Sequence, residues 1–331
     1  MCRQGKRVFV LILTIGLAVF LTSGVVLAQG ADWPKRVAIG AASPGGGFYM
    51  GASALARVVS KMPGVTCTVE ITQASKHNMR LVQKSMVQLG FTVTPVAWEA
   101  WNGVGSFKGE KTDRVRTLFT SWPSAYMFIT LAKTGIERLK DFEGKRFSGG
   151  PGKNSACAIN TEHTFDALGI NSKITYLPST DASRGVIDGT LAGFNLSWPN
   201  PLVTQMEATH EVRVIVPSKE ELEVFSKKYP QYGRVVIPKG AYKCITEDTE
   251  GVGQYTITIV DKDISEDFVY HLTKACFEKK PEIEAIWPPM GKAMNAKVVS
   301  NTPIPYHPGA VRYFKEQGVK FPLSLIPPEM K

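Results

Sequence analysis

From residue 37 onward the sequence alternates between two hydrophobic periods, and this alternation constrains the fold more tightly than any other feature. Residues 37–41 form a short apolar run of strand type. Phe48, Ala52, Leu55 and Val59 then fall on one helical face, and Val65, Cys67, Val69 and Ile71 alternate as a strand. Met79, Val82 and Met86 return to helical spacing before Val87, Leu89, Phe91 and Val93 alternate again. A βαβαβ order requires a mostly parallel sheet with helices on both faces. The same grammar restarts after Trp122-Pro123. Residues 128–131 and 147–150 read as strands, and Ala158, Thr161, Phe165 and Leu168 share a helical face. Strands at 174–177, 191–198 and 212–216 follow, then an amphipathic helix over 220–228. Two α/β units in one chain imply two lobes with a cleft between them.

The first residues, MCRQGKRVFVLILTIGLAVFLTSGVVLAQG, follow the order of a secretory signal. Arg3, Lys6 and Arg7 give the basic start, residues 8–21 the apolar core, and Val26-Leu27-Ala28 the small-residue cleavage site. The core is shorter than the roughly 20 apolar residues of a membrane span, so cleavage after Ala28 and a periplasmic product are expected. The formal net charge is +10, and three of those charges lie in this segment. The remainder is dispersed, with Lys227-Lys228 and Lys279-Lys280 set among acidic neighbours, so nucleic acid is not an expected partner. A mild positive field suits an anionic small molecule or an acidic membrane surface. Once Cys2 leaves with the signal, Cys67, Cys157, Cys244 and Cys276 are too widely spaced for a close disulfide framework, and whether any pair form stays open.

Two Gly-rich turns carry the functional signal. In IGAASPGGGFYM, residues 39–50, a strand runs through Gly45, Gly46 and Gly47 straight into a helix. Such a turn presents free backbone N–H groups at a helix N-terminus, where the dipole also favours negative charge. A tight turn needing positive φ explains the glycines equally well. The stretch is neither a dinucleotide fingerprint nor a P-loop. A second turn, SGGPGKNSACAIN at 148–160, repeats the design in the other half, with Asn154 or Ser155 suited to cap the helix. Together the turns look like two jaws closing on one anion.

Six passages in order carry a resemblance over nearly the whole chain after the signal: GGGFYMGASALARVV, ASKHNMRLV, VQLGFTVTPVAWEAWNG, LKDFEGKRFSGGPGKNSA, RGVIDGTLAGFNLSWPNP and IPYHPGAVRYFKEQGV. They resemble the TAXI family, the TRAP-associated extracytoplasmic immunogenic proteins that serve tripartite ATP-independent periplasmic (TRAP) transporters. The resemblance implies a type II periplasmic-binding-protein fold, α/β, with two lobes and crossing hinge strands. It places the first lobe at 29–120 and 257–331 and the second at 121–256, with hinges near 121–126 and 254–259. It also implies an organic acid or amino acid in the cleft, integral-membrane permease subunits as partners, no cofactor and a monomer. Carried over by position, the ligand contacts would be Ser43, Gly46, Gly47, Phe48 and Tyr49 from the first turn. Ser75 and Asn78 would follow from the second, Thr94 from the third, and Lys153, Asn154 and Ser155 from the opposite lobe, with Trp198 beside them.

The departures from the family pattern shape the expected ligand. Phe48-Tyr49 stands where the family tends to carry two tyrosines, and Thr92, Thr94 and Pro95 stand where it has a Gln and an Asp. With no acid to meet an ammonium, and with Lys153 among the helix N-terminal donors, a carboxylate or dicarboxylate is expected over glutamate. Lys153→Ala should then weaken a dianion most, and Gly47→Val should set a Cβ against the ligand with the fold intact. Trp98, Trp101, Trp122 and Trp198 are expected near the cleft as core or lid residues. Catalysis is not expected. The histidines His77, His163, His210, His271 and His307 show no metal-ligand spacing, and no G-x-S-x-G occurs. Cys157 and His163, six apart on one helix, should face different ways, and His307 in YHPGA suits a structural hydrogen bond. The alternative from another class is a periplasmic sensor that signals to a membrane receptor or kinase with the same clamshell.

Overall fold

A computed structural model describes residues 32–331 apart from Lys111, Ala296 and Lys297. The secretory-type segment and Cys2 lie outside the described residues. The first unit folds as β1 (Arg36–Gly40), α1 (Gly47–Val59), β2 (Thr66–Glu70), α2 (Ser75–Gln83), β3 (Leu89–Val93) and α3 (Thr94–Asn102). Strand β1 lies between β2 and β3, parallel to both, with Ile39 opposite Val69 on one side and Leu89 on the other. The helical run ends earlier than the spacing through Met86 suggests: α2 stops at Gln83, and Met86 is exposed.

The second unit starts inside a single strand, β4 (Val115–Leu131), which runs uninterrupted through Trp122-Pro123. The expected strand at 128–131 is only the end of it. Nearly every β4 residue is buried on both faces, so no polar alternation marks its first two-thirds. Beyond β4 come β5 (Arg146–Ser148), α4 (Ala156–Leu168), β6 (Lys173–Thr175), α5 (Ser179–Ile187), β7 (Gly193–Trp198), α6 (Pro201–Glu207), β8 (Val212–Ile215) and α7 (Lys219–Lys228). Next are β9 (Gly233–Ile237) and β10 (Thr249–Asp261), the second long strand. Helices α8 (Glu266–Glu278), α9 (Lys280–Ile286), α10 (Pro288–Ala293) and α11 (Pro308–Glu316) close the chain.

The described strands form one sheet ordered β2-β1-β3-β10-β4-β7-β5-β6, with β8 on β4 and β9 on β10. Strands β4 and β10 are antiparallel neighbours from Gly253 opposite Ala125 to Asp261 opposite Val115, and they alone run through both halves. Their register slips twice, where Ser121 is left over between Trp122 and Thr120 and where Leu118 is left over between Phe119 and Thr117; Pro123, two residues from Ser121, has no N–H to give the ladder. The two segments expected to act as hinges thus lie side by side, with Gln254 opposite Ser124 and Thr256 opposite Trp122.

Each lobe has its own core. Residues Leu55, Val58 and Val59 of α1 pack with Leu272 and Cys276 of α8 and Val311 and Phe314 of α11, which fastens the C-terminal helices to the first lobe. In the second lobe Phe128, Phe142, Phe147 and Phe165 pack ring against ring at 4.7–6.4 Å between centroids. A further buried cluster joins Val96, Ala97 and Phe107 of the first lobe to Ile159, Leu222 and Phe225 of the second, so the lobes meet over apolar surface.

Candidate functional site

Strand β1 ends at Gly40 and the chain reverses through Ser43-Pro44-Gly45 before α1 begins. Of the three glycines only Gly45, at φ +81°, needs the left-handed region, and nothing lies within 4 Å of its Cβ position. Gly46 is the N-cap, and its N–H donates to Ser43 O at 3.3 Å. Gly47 permits close packing. A Cβ there would lie 3.3 Å from the Trp287 indole, 3.8 Å from Trp122 and 3.8 Å from Pro199 O of the other lobe. Its hydrogen therefore faces aromatic carbon and the opposite jaw, and the expectation that Gly47→Val sets a Cβ against the ligand with the fold intact is corrected accordingly, since the new atoms meet the indoles.

Helix α2 enters the same space. Its N-cap, Ala74, sits at φ +64°, ψ −145°, a conformation that costs a non-glycine residue about 1–3 kcal/mol. A hydrogen bond from Ala74 N–H to Thr72 Oγ1 (3.0 Å) holds it there. The next residue, Ser75, is fully buried with its Oγ lacking a hydrogen-bond partner. From the facing lobe α4 starts at the second Gly-rich turn, where Ser155 Oγ accepts from Ala158 N–H at 3.1 Å as the N-cap. Gly150 allows this closeness, since a Cβ there would stand 2.7 Å from Cys157 Cβ and 2.8 Å from Ser155 Oγ.

These ends converge on one cleft between the lobes, with a cavity volume of ≈ 70 Å³. Its lining includes Gly46, Gly47 and Phe48 of α1, Ala74 and Ser75 of α2, and Ser155, Ala156 and Cys157 of α4. Ser179, the first residue of α5, and Asn200, the N-cap of α6, also line it, with Leu196 and Ser197 at the end of β7 and Ala42 and Pro151 from the two Gly-rich turns. Helix starts therefore supply most of the wall. The first N–H groups of each helix have no intrahelical acceptor, and the dipoles add positive potential. Among the described residues, no Asp, Glu, Lys, Arg or His lines the cleft. Cys157 Sγ faces Ser197 Oγ at 3.6 Å, and burial pushes its thiol up to about 11, so it is no thiolate nucleophile near neutral pH.

The NMT1-like family model matches residues 39–318. The chain belongs to the NMT1-like family. The structure of the periplasmic binding protein BugD is similar at a TM-score of 0.55 and 14% identity, over 87% of this chain and 99% of that one. A periplasmic transporter structure gives 0.53 at 13% identity, over 86% and 98% of the two chains. A substrate-binding protein of an ABC uptake transporter from Streptococcus pneumoniae, with bound histidine, gives 0.52 at 14%, over 79% and 95%. With the crossing of β4 and β10, these likenesses show the type II periplasmic-binding fold.

Within this NMT1-like chain the sequence-expected contacts separate. Gly46, Gly47, Phe48, Ser75 and Ser155 are brought together in the cleft wall. The others are not among the lining. Ser43 builds the turn through its carbonyl. Tyr49 packs against the first core, and Trp198 against the core of the second lobe. Asn78 is fully buried: its Nδ2 donates to Ala41 O and Phe91 O, both at 2.8 Å, and its Oδ1 accepts from Thr72 Oγ1 at 2.6 Å. Its carboxamide thus ties β1 and β3 to the start of α2 from inside. Thr94 Oγ1 accepts from Tyr255 N–H at 3.2 Å and lies with the half-exposed Trp98 in a different groove. Trp122 is buried between Phe48, Phe91 and Trp287. Lys153 points to solvent, so positive potential in the cleft comes from helix ends and not from that ammonium.

Asn154 sits at the rim and joins the lobes. Its carbonyl accepts from Lys76 N–H at 3.0 Å and its amide donates to Gln73 Oε1. Sequence reading missed Ala74, Cys157, Ser179, Ser197 and Asn200. Asn200 and Ser179 do carry a local signal, a capping-type residue beside a proline at a helix start. Nothing local marks Ser197, which is a strand residue until the fold places it. The four cysteines among the described residues are all free thiols. His307 caps α11, with its Nδ1 accepting from Gly309 N–H at 3.2 Å and its Nε2 3.1 Å from Lys262 O.

Proposed function

We propose that the chain is an extracytoplasmic solute-binding protein that captures a small organic anion between its lobes and delivers it to a membrane transporter of TRAP type. The convergence of the N-termini of α1, α2, α4 and α5 on a cleft that no charged side chain among the described residues lines is the observation that carries this reading. Orphan N–H groups and aligned dipoles stabilise a carboxylate, while the absent Asp or Glu leaves an ammonium without a counter-charge. Ser75 Oγ, buried and unpartnered in the wall, adds a side-chain donor. A carboxylate or dicarboxylate therefore fits better than an amino acid. The six sequence passages that resemble the TAXI family support the transporter class, and a secreted, periplasmic protein accords with the N-terminal segment. The lobe boundaries proposed are 29–120 with 257–331, and 121–256, the chain pivoting where β4 and β10 cross.

The binding protein returns its ligand unchanged. Mass spectrometry of what co-purifies, followed by calorimetry against dicarboxylates, oxo acids and amino acids, tests this. A preference for a neutral or cationic amino acid would defeat it.

A further inference from the structure

Two polar side chains, one from each lobe, reach the cleft with donors that the protein does not use. Ser75 opens α2 in the first lobe; it is fully buried in the cleft wall, and its Oγ has no hydrogen-bond partner. Asn200 follows β7 in the second lobe and is only 9% exposed. One buried hydroxyl clamps its backbone: Asn200 N–H donates to the Tyr242 hydroxyl oxygen at 2.8 Å, and that hydroxyl donates to Asn200 O at 2.9 Å. Its Oδ1 accepts from Leu202 N–H at 3.0 Å as the cap of α6. None of these bonds uses Nδ2, so the two amide hydrogens are what Asn200 has left to offer the cavity.

The side-chain acceptors beside them are engaged. Ser155 Oγ takes Ala158 N–H at 3.1 Å, Asn200 Oδ1 takes Leu202 N–H, and Ser197 Oγ lies 3.6 Å from the Cys157 thiol. A solute seated here therefore meets N–H and O–H groups in search of an acceptor. A carboxylate with a neighbouring 2-oxo group matches such a wall, because every one of its oxygens accepts. A 2-hydroxyl would bring a proton of its own that needs an oxygen, and a 2-ammonium would bring three and a charge.

Size narrows the class further. The lobes are latched across the rim, where Asn154 O accepts from Lys76 N–H at 3.0 Å and Asn154 Nδ2 donates to Gln73 Oε1. The ≈ 70 Å³ cavity is thus the space of the closed cleft. At about 10–15 Å³ for each water-sized group, it takes about five to seven non-hydrogen atoms. Succinate, glutamate and 2-oxoglutarate exceed that size. We infer that the cleft selects a 2-oxo acid of two to four carbons, clasped between Ser75 Oγ of one lobe and Asn200 Nδ2 of the other. The side chains of Phe48 and Leu196 in the same wall cover its short alkyl end. Closure then brings both donors onto one solute, which is how the solute favours the closed form. The inference deepens the small-anion reading above and rests on it.

Isothermal calorimetry with the sodium salts of glyoxylate, pyruvate, 2-oxobutyrate, L-lactate, succinate and 2-oxoglutarate, and with L-alanine, tests it. The short 2-oxo acids should bind at least about tenfold more tightly than each of the others. Ser75→Ala and Asn200→Ser should each weaken pyruvate by about tenfold to a hundredfold, the loss expected for a donor to a charged group. Ser75→Ala removes a hydroxyl without a protein partner, and the serine of Asn200→Ser can still cap α6, so both should keep the wild-type urea midpoint. If Asn200→Ser does not fold by circular dichroism, Asn200→Asp replaces it; it caps equally well, sets an acceptor where the donor was, and should abolish binding. Succinate or 2-oxoglutarate bound more tightly than pyruvate, lactate bound as tightly as pyruvate, or wild-type affinity for pyruvate in either variant overturns the inference. In each of those cases a carboxylate still binds and the anion reading stands. A protein that takes L-alanine alone, or no carboxylate at all, defeats both.

Discussion

Asn78 separates a ligand contact from an internal strut, and its replacement by alanine gives the two roles opposite signatures. The side chain has no exposed surface and makes three hydrogen bonds, to Ala41 O, Phe91 O and Thr72 Oγ1, at 2.6–2.8 Å. At about 1 kcal/mol net for each bond, and with Phe91 O losing a buried donor, Asn78→Ala should destabilise the chain by about 3 kcal/mol or more. In the variant the single Thr72 hydroxyl proton, no longer taken by Asn78, is free to turn to Ala41 O at 3.0 Å, which holds the figure near that value. Against a typical total of about 5–15 kcal/mol this is a large fraction. Urea titration followed by circular dichroism would show the midpoint moving with an unchanged slope. Asn78→Asp should be worse, because a carboxylate would then face two backbone carbonyls in a dry interior. A loss below about 1 kcal/mol, together with abolished solute binding, would refute the strut and return Asn78 to the cleft wall.

Gly47→Val should lower the melting midpoint as well as binding, because its new atoms meet the indoles of Trp287 and Trp122; overpacking of this kind costs about 1–3 kcal/mol. An unshifted midpoint by calorimetry would contradict that packing. Lys153→Ala should change affinity for mono- and dianions alike by less than about fivefold, an effect that vanishes in high salt, since the side chain is in solvent. Isothermal calorimetry at two ionic strengths reads this directly. His307 must be neutral to accept from Gly309 N–H, and burial brings its imidazole down to about 4. The unfolded chain therefore binds more protons below about pH 6.5, and His307 should lower stability by up to about 1.4 kcal/mol per pH unit between there and pH 4. Urea midpoints of His307→Gln against wild type over that window should show a shallower decline in the variant.

The sequence by itself determined the alternation of strands and helices in both units, because a period of 2 or 3.6 is written into which residues are apolar. Strands β1, β3, β7 and β8 fall within two residues of where the apolar runs put them. Both Gly-rich turns were legible too, since a strand running into glycine and then a helix has few geometries open to it. What the alternation could not show was β4, whose two buried faces erase the polar signal, or that β4 and β10 lie side by side across some 130 residues of chain. Nor could local pattern distinguish Ser75 from Asn78, one turn apart on the same helix: the first lines the cleft and the second is locked between strands. Ser179, Ser197 and Asn200 join the site only because β7 pairs with β4 and swings the starts of α5 and α6 toward α1. Hydrophobic period governs which way a side chain faces its own element. Convergence of loops from distant parts of the chain depends on sheet order and lobe packing, which no short stretch of residues encodes.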